Sequence, residues 1–496
     1  MNQRQPIFMI YNKLTILALF GILNLNNTST SSVAVFKPEV SSENILFKDS
    51  QELAKQNIQR AMDLVDLSIQ HYFDRDSFEM SRFYNPFTSK KSAEKASVWM
   101  YSAAIESVNA ILLALDEAKL KGHSEIYQKN YKRYVQLLDK LYTEADYYLG
   151  TFELTSFTQT RSWSVYAVDR VKEKGKANVT GVLNVYDDQM WLIRELLSSY
   201  KLTGKNAYLD KAEYLTAYVL DGWDVTLDED GKENGGIPWG PGYTTKHACS
   251  NGPLISSLVW LHEVYTTKSV KIDRAYIDIH DKKSRLSKKV SKADYYLSFA
   301  KDIYDWQKRN LLNEDGVYTD MMGGCLPNCD IRYEEVGGVR YRANTQLTKA
   351  VGKPYSYNSG TMLSGAVDLY RVTKQDSYAK DAKSLGDNSF KYFAQLGKDL
   401  PDYYTYESRG FDNWFNGILL RGYHDLTRMD DAAKNYLQSF QRNLDYGYEH
   451  FNQMGFLPTN LLKGWGKEKD SQGVEGMFMF TFAAQYAILA EHLLND

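Results

Sequence analysis

The chain has 496 residues and only three cysteines, Cys249, Cys325 and Cys329. That is too few for a disulfide framework, so a hydrophobic core must carry the fold. Cys325 and Cys329 lie close together in Gly323-Gly324-Cys325-Leu326-Pro327-Asn328-Cys329. In an exported protein they suit one small disulfide loop, with Cys249 left free. A metal site built on the pair is disfavoured, because no His or Cys stands nearby. Histidine is scarce as well, at eight residues. These form no His-Glu-x-x-His motif and no paired spacing, so no metal is expected. Gly-x-x-x-x-Gly-Lys-Ser/Thr is missing, as is Gly-x-Gly-x-x-Gly after a strand, which removes the case for a nucleotide cofactor. The Gly-x-Ser-x-Gly elbow of serine hydrolases is also missing. Charge of one sign is lacking: 59 Lys and Arg face 62 Asp and Glu, a net charge of −3. Neither nucleic acid nor an anionic membrane surface is therefore an expected partner. Beyond the first 30 or so residues, no apolar run suggests the roughly 20 residues that span a bilayer.

Aromatic residues are plentiful, at 14%, with 38 Tyr and 9 Trp. Flat amphipathic rings suit carbohydrate, whose C–H faces pack on them, although helical toroids also use Tyr at the edge of the core. Near the N-terminus, Arg4 and Lys13 precede the apolar run Leu14 to Leu23, and small polar residues follow. This is the pattern of an export signal, and initiation at Met9 would make it more compact. No Cys follows the run to anchor a lipid. The expected organisation is a leader over residues 1–35 and a single catalytic domain over 36–496. The expected location is extracytoplasmic: periplasmic, cell-surface or secreted.

Amphipathic helices are predicted at 51–72, 93–118, 124–148, 186–203, 205–221, 251–267, 291–311, 358–373, 376–396, 411–428, 431–450 and 474–494. Several are joined by the same short turn, an aliphatic-Thr pair and then a few polar residues, as in Leu202-Thr203-Gly204-Lys205 and Val372-Thr373-Lys374-Gln375. Short turns make antiparallel neighbours. Long connections rich in Gly, aromatics and acids alternate with them. Twelve helices in six hairpins predict an all-α (α/α)6 toroid with long loops gathered at one rim. An open solenoid should keep a more constant repeat. Residues 268–292, rich in Lys and Arg, read as a solvated loop. Gly316-Val317-Tyr318-Thr319-Asp320 suggests a turn feeding a short strand. Asp228-Glu229-Asp230-Gly231 has part of a calcium-loop pattern but lacks the later bidentate acid.

The acid pair Asp187-Asp188 opens the helix at 186–203. Steps of four from Asp188 reach Leu192, Leu196 and Tyr200, so Asp188 points at the core, where a carboxylate is costly unless paired or protonated. The competing reading is an N-cap followed by a first-turn acid. Three more segments fall at the long-loop rim: Glu233-Asn234-Gly235-Gly236-Ile237-Pro238-Trp239, Lys246 to Pro253, and Tyr355-Ser356-Tyr357-Asn358-Ser359-Gly360. Each also reads as an ordinary loop or helix start. Their place on the rim makes Trp239, Tyr357 and Trp414 candidates for stacking on a sugar. It makes Lys246, Asn251 and Asn358 candidates for hydroxyl contacts.

The run Tyr186-Asp187-Asp188-Gln189-Met190-Trp191, then Gly235 to Trp239, Lys246 to Pro253 and Tyr357-Asn358-Ser359-Gly360, resembles glycoside hydrolase family 76 in order and spacing from about residue 50 onward. The resemblance implies an (α/α)6 endo-α-1,6-mannanase acting on microbial mannan with retention and without a cofactor. It implies Asp187 as nucleophile and Asp188 as general acid/base. Cys249 and the loop at 323–342 depart from the pattern. Two carboxyl groups roughly 5–5.5 Å apart suit a retaining mechanism. Like-charge repulsion and burial should leave one of them protonated. A transglycosidase and a non-catalytic glycan-binding surface protein are the alternatives; the latter does not need two acids on a buried stripe.

Overall fold

The computed structural model describes residues 50–495. The expected export leader over 1–35 lies outside the described residues. Within them are twelve α-helices: α1 (Ser50–Tyr72), α2 (Val98–Leu120), α3 (Ser124–Ala145), α4 (Tyr186–Thr203), α5 (Asn206–Asp221), α6 (Gly252–Tyr265), α7 (Lys292–Leu311), α8 (Ser356–Thr373), α9 (Asp376–Phe393), α10 (Asp412–Leu426), α11 (Ala432–Phe451) and α12 (Gly476–Asn495). The start of α2 lies later than its periodicity suggests, because Ser97 caps it by accepting from the Met100 N–H at 3.3 Å.

The even-numbered helices form a closed inner ring. Each packs on the next, from α2 through α4, α6, α8 and α10 to α12, and α12 returns to α2. Each odd-numbered helix lies outside a ring member: α3 on α2, α5 on α4, α7 on α6, α9 on α8, α11 on α10 and α1 on α12. This is an (α/α)6 toroid; an open solenoid would not bring α12 onto α2. Composition explains the sorting. Gly476 to Ala490 of α12 is buried without a break. In α3 only Asn130, Tyr134, Leu138, Leu141 and Ala145 are buried, a stripe one helical face wide. By length and composition α2 and α12 do reach the threshold for a membrane span, contrary to the reading above. In both, 83% of the apolar window is buried inside the protein.

Short turns lead outward from the ring. Gly204, at φ +68°, ends α4, and Lys374, at φ +58°, ends α8. Long connections lead inward, so the N-terminal ends of all six inner helices meet the long-loop rim. Small antiparallel pairings decorate these loops, among them Leu149–Thr155 with Thr160–Tyr166, and Met321–Leu326 with Gln346–Val351. Cys325 and Cys329 are disulfide-bonded, whereas Cys249 is free and buried. The turn before Gly316 feeds a bridge between Leu312 and Tyr318 and then the short strand Met321–Leu326. Residues 228–231 form a tight turn in which Asp228 accepts the Lys232 N–H.

The solvated loop expected over 268–292 is instead a β-hairpin, Lys271–Ile277 paired with Arg285–Ser291. Its charges are mostly partnered. Arg274 lies 4.5 Å over the Phe299 ring of α7 and donates to Ser298 and Asp302. Arg285 pairs with Glu334 at 2.6 Å.

The lumen is closed below the rim. Trp191 of α4 and Trp414 of α10 meet edge to face, with centroids 4.7 Å apart. Arg421 of α10 pairs with Glu106 of α2 at 2.8 Å and lies 3.9 Å from Glu195 of α4, which also pairs with Arg194.

Candidate active site

The first turn of α4 is held on three sides. Val185 occupies the cap position without a side-chain cap bond, so Asp187 and Asp188 lie inside the first turn, and neither is the cap. The Tyr186 N–H donates to the Trp239 carbonyl at 2.8 Å, and the Tyr186 ring packs 5.0 Å from Tyr218. Asn184 donates to the Val179 carbonyl and accepts from the Tyr218 hydroxyl at 2.7 Å. Gln189 both donates to and accepts from the Tyr166 backbone. The residues flanking the acids therefore anchor the turn and fix where the acids point.

Asp188 is 7% exposed and Asp187 is half-buried. The indole N–H of Trp239 donates to Asp187 Oδ1 at 3.1 Å. The neighbouring Cys249 thiol and the N–H groups of the first helical turn also act to lower the pKa of this carboxylate, and Tyr357 in turn favours the thiolate of Cys249. Burial pushes the Asp187 carboxyl up to about 6, while these donors hold it down. Asp188 receives no such help. Burial and the adjacent Asp187 charge drive it well above the ordinary carboxylate range. The pair is therefore unequal: the negative charge is better stabilised on Asp187 and the proton on Asp188.

Trp239 is set by a web of buried polar contacts. Lys246 donates its ammonium to Asp224 Oδ2 at 2.8 Å and to the Gly235 carbonyl at 2.5 Å. Asn251 accepts the Ile237 N–H at 2.8 Å and donates to the carbonyls of Ile237 and His247. Lys246 and Asn251 therefore do not offer free groups to a hydroxyl. Both are buried, and both shape the segment that carries Trp239. His247 stacks on Trp239 at 4.9 Å, and burial lowers its pKa to about 4, so the ring is neutral. Tyr243 packs on Trp239 at 4.7 Å.

Trp414 is not the surface plate that its place near the rim suggests. It is 2% exposed and donates its indole N–H to Glu106 at 3.3 Å, forming the floor with Trp191. Asn358 is fully buried within α8, and its amide has no protein partner. Tyr357 lies within the site, 7% exposed, with its hydroxyl at Cys249.

Two groups escaped the sequence reading. Cys249 looked like a leftover thiol. Asp320 looked like the end of a turn. Its carbonyl accepts the Ala248 N–H at 2.8 Å, its carboxyl is raised to about 6 by burial, and its charge bears on both Cys249 and Tyr357. Only its place in the acid-rich loop after α7 hinted at it. Among the described residues, no group of three or more His, Cys, Asp or Glu is placed to hold a metal ion.

The geometry has counterparts among known proteins. No curated protein sequence matches the chain significantly. Solved structures share its fold. A family 76 mannosidase, Bt3792 from Bacteroides thetaiotaomicron VPI-5482, aligns over 88% of this chain and 98% of its own at 20% identity, with a TM-score of 0.62. The GH76A alpha-1,6-mannanase from Salegentibacter sp. HEL1_6 aligns over 88% and 99% at 18% identity, with a TM-score of 0.53. An inactive variant of that mannanase, with two consecutive aspartates replaced, is solved with alpha-1,6-mannotetrose. It aligns over 90% and 99% at 18% identity, with a TM-score of 0.53. The family model described as glycosyl hydrolase family 76 matches residues 117–269 and 283–452. The gap between the two stretches falls on the hairpin inserted before α7. With most of its length matched, the chain belongs to glycosyl hydrolase family 76.

Proposed function

We propose that the protein is an exported enzyme that cleaves internal α-1,6-mannosidic bonds of microbial mannan by a retaining, two-carboxylate mechanism. One observation carries the mechanism: the unequal surroundings of the acid pair. Asp187 has an indole, a thiol and backbone N–H groups to stabilise its negative charge, and Asp188 has none of them. The ionised Asp187 attacks the anomeric carbon. The protonated Asp188 gives its proton to the leaving glycosidic oxygen as that bond breaks. The Asp188 carboxylate then takes a proton from water, whose oxygen displaces Asp187 and restores both groups. Two inversions give net retention.

The substrate class rests on the family and on solved relatives described as alpha-1,6-mannanases. Export rests on the N-terminal signal pattern. In this reading Trp239 and Tyr357 contact the sugar at the acid pair, and Asp320 accepts from one of its hydroxyls. Capture of the covalent intermediate by a sugar instead of water would make the protein a transglycosidase with the same residues.

Asp187→Asn and Asp188→Asn should each reduce oligosaccharide release from debranched α-1,6-mannan at least 1,000-fold, roughly 4 kcal/mol of transition-state stabilisation, while the fold persists. Undiminished release by either variant would rule the assignment out. Proton NMR of the first product should show the α-anomer.

A further inference from the structure

Arg342, the last residue of the short strand Val339–Arg342, carries a buried guanidinium that the catalytic steps do not use. It is 5% exposed, and among the described residues no carboxylate forms an ion pair with it. Asp224 bears on it through space, but that carboxylate pairs with Lys246 at 2.8 Å. A buried charge without a counterion is costly, so other contacts must hold it. Those contacts are backbone carbonyls. One guanidinium nitrogen donates to the Pro241 carbonyl at 3.2 Å and the other to the Tyr243 carbonyl. The planar fork spans two acceptors in a fixed geometry, which a lysine's compact ammonium does not. From behind, the Arg342 N–H donates to the Ser156 carbonyl at 2.8 Å, and the guanidinium lies 5.3 Å over the Phe157 ring.

The two carbonyls belong to the turn that carries Trp239 to Asp187. The Trp239 N–H donates to the Thr245 carbonyl at 3.0 Å, and the Tyr243 N–H donates to the Gly240 carbonyl at 3.0 Å. The same turn lies against the segment that leads into α4. A Cβ on Gly240 would sit 2.7 Å from the Asn184 carbonyl oxygen, and one on Gly242 would sit 2.5 Å from the Gly181 carbonyl carbon. Thr244 donates to the Cys329 carbonyl at 3.1 Å, so the disulfide loop braces this turn as well. Both braces come from residues 323–342, the loop that departs from the family pattern. Arg342 itself donates to neither acid. Its route to Asp187 runs through the indole N–H, which the turn delivers to that carboxylate at 3.1 Å.

We propose that Arg342 is a positioning residue: by clamping the Pro241 and Tyr243 carbonyls it fixes the turn that holds the Trp239 indole N–H on the Asp187 carboxylate. The proposal rests on the acid-pair mechanism for its effect on turnover, while the clamp itself stands on the hydrogen bonds of the turn. An arginine that served stability alone would leave the proton affinity of Asp187 unchanged. One that places the indole sets that affinity, and with it the pH range in which the nucleophile is ionised.

The test uses Arg342→Met, which keeps an apolar stem but removes the donors, and Arg342→Lys, which keeps the charge and stands in should Arg342→Met fail to fold. In Arg342→Met the acidic limb of kcat/KM should move upward by about one pH unit, with roughly a tenfold loss near pH 6. Arg342→Lys should move it in the same direction by less. Adding Trp239→Phe to Arg342→Met should move the limb no further, because the donor is already displaced. A limb that stays at the parent's pH in a folded variant overturns the proposal, as does a full further shift on adding Trp239→Phe. A readout independent of turnover is the NMR resonance of the Trp239 indole N–H in isotope-labelled protein, identified by its loss in Trp239→Phe. It should titrate with Asp187 in the parent and cease to follow that titration in Arg342→Met. A resonance that titrates alike in both overturns the clamp. A parent that releases no product from debranched α-1,6-mannan, while this resonance depends on Arg342, overturns the glycosidase reading and leaves the clamp standing.

Discussion

Trp239 gives a single N–H to the acid pair, and that donor should be visible in a pH profile. With Asp187 titrating at about 6, kcat/KM should rise through that pH on the acidic side and fall again where Asp188 loses its proton. Trp239→Phe keeps a ring but removes the donor, so the acidic limb should move to higher pH, with roughly a tenfold loss of kcat/KM near pH 6. An unmoved limb would show that the 3.1 Å contact does not stabilise the charge. The pair should also tax the fold. The Asp187 pKa is raised from 3.8 to about 6, so the folded state binds its proton more tightly than the unfolded chain does. The resulting stability is complete below about pH 4 and is lost as pH rises through about 6. Asp187→Asn escapes that loss. It should unfold like the parent at pH 3.5, yet be about 1–3 kcal/mol more stable at pH 7–8 by urea titration. At this scale the sequence offered the acid pair as candidates and was silent about the proton, because neighbours distant in the chain, Trp239 and Cys249, stabilise the charge.

At the scale of elements, the loop from α5 to α6 shows how a backbone requirement places a functional side chain. Gly236 has φ +76°, and a Cβ there would lie 2.3 Å from Trp306 Cε2. Gly236→Ala therefore combines left-handed strain with a collision against a large ring. It should destabilise the protein by about 2–4 kcal/mol in chemical denaturation and lower activity by displacing Ile237 to Trp239. Wild-type stability and turnover would refute that role for the glycine. Helix positions were legible because the outer helices keep a one-face stripe at helical spacing, as in α3, and the inner ones are long apolar runs, as in α12. The hairpin at 271–291 was not, because its strands alternate weakly and its Lys and Arg residues look solvated until α7 supplies Phe299, Ser298 and Asp302. Lys246 and Asn251 were misread for a related reason. Their polar groups meet buried backbone and Asp224, and nothing local announces a partner that far away.

For the whole molecule, closure of the ring brings charges from α2, α4 and α10 into one buried network beneath the floor. Arg421→Met would leave Glu106 and Glu195 without this partner, at an expected loss of about 3–5 kcal/mol. Adding Glu106→Leu should recover much of that loss, since an apolar pair of similar size avoids the desolvation penalty. Equilibrium denaturation of the single and double variants measures both effects. A single variant as stable as the parent would mean the network contributes nothing.

The chain alone determined the helices, their pairing through short turns and the candidate acids, because periodicity, turn chemistry and carboxylate placement are local properties. It also carried the family pattern. Tertiary structure decided the rest. It made Lys246 and Asn251 supports of Trp239, made Trp414 part of the floor and brought Cys249 to Asp187. Those outcomes depend on burial and on partners tens to hundreds of residues away. Desolvation and hydrogen bonding act through space, so which acid holds the proton is settled only once the ring has closed.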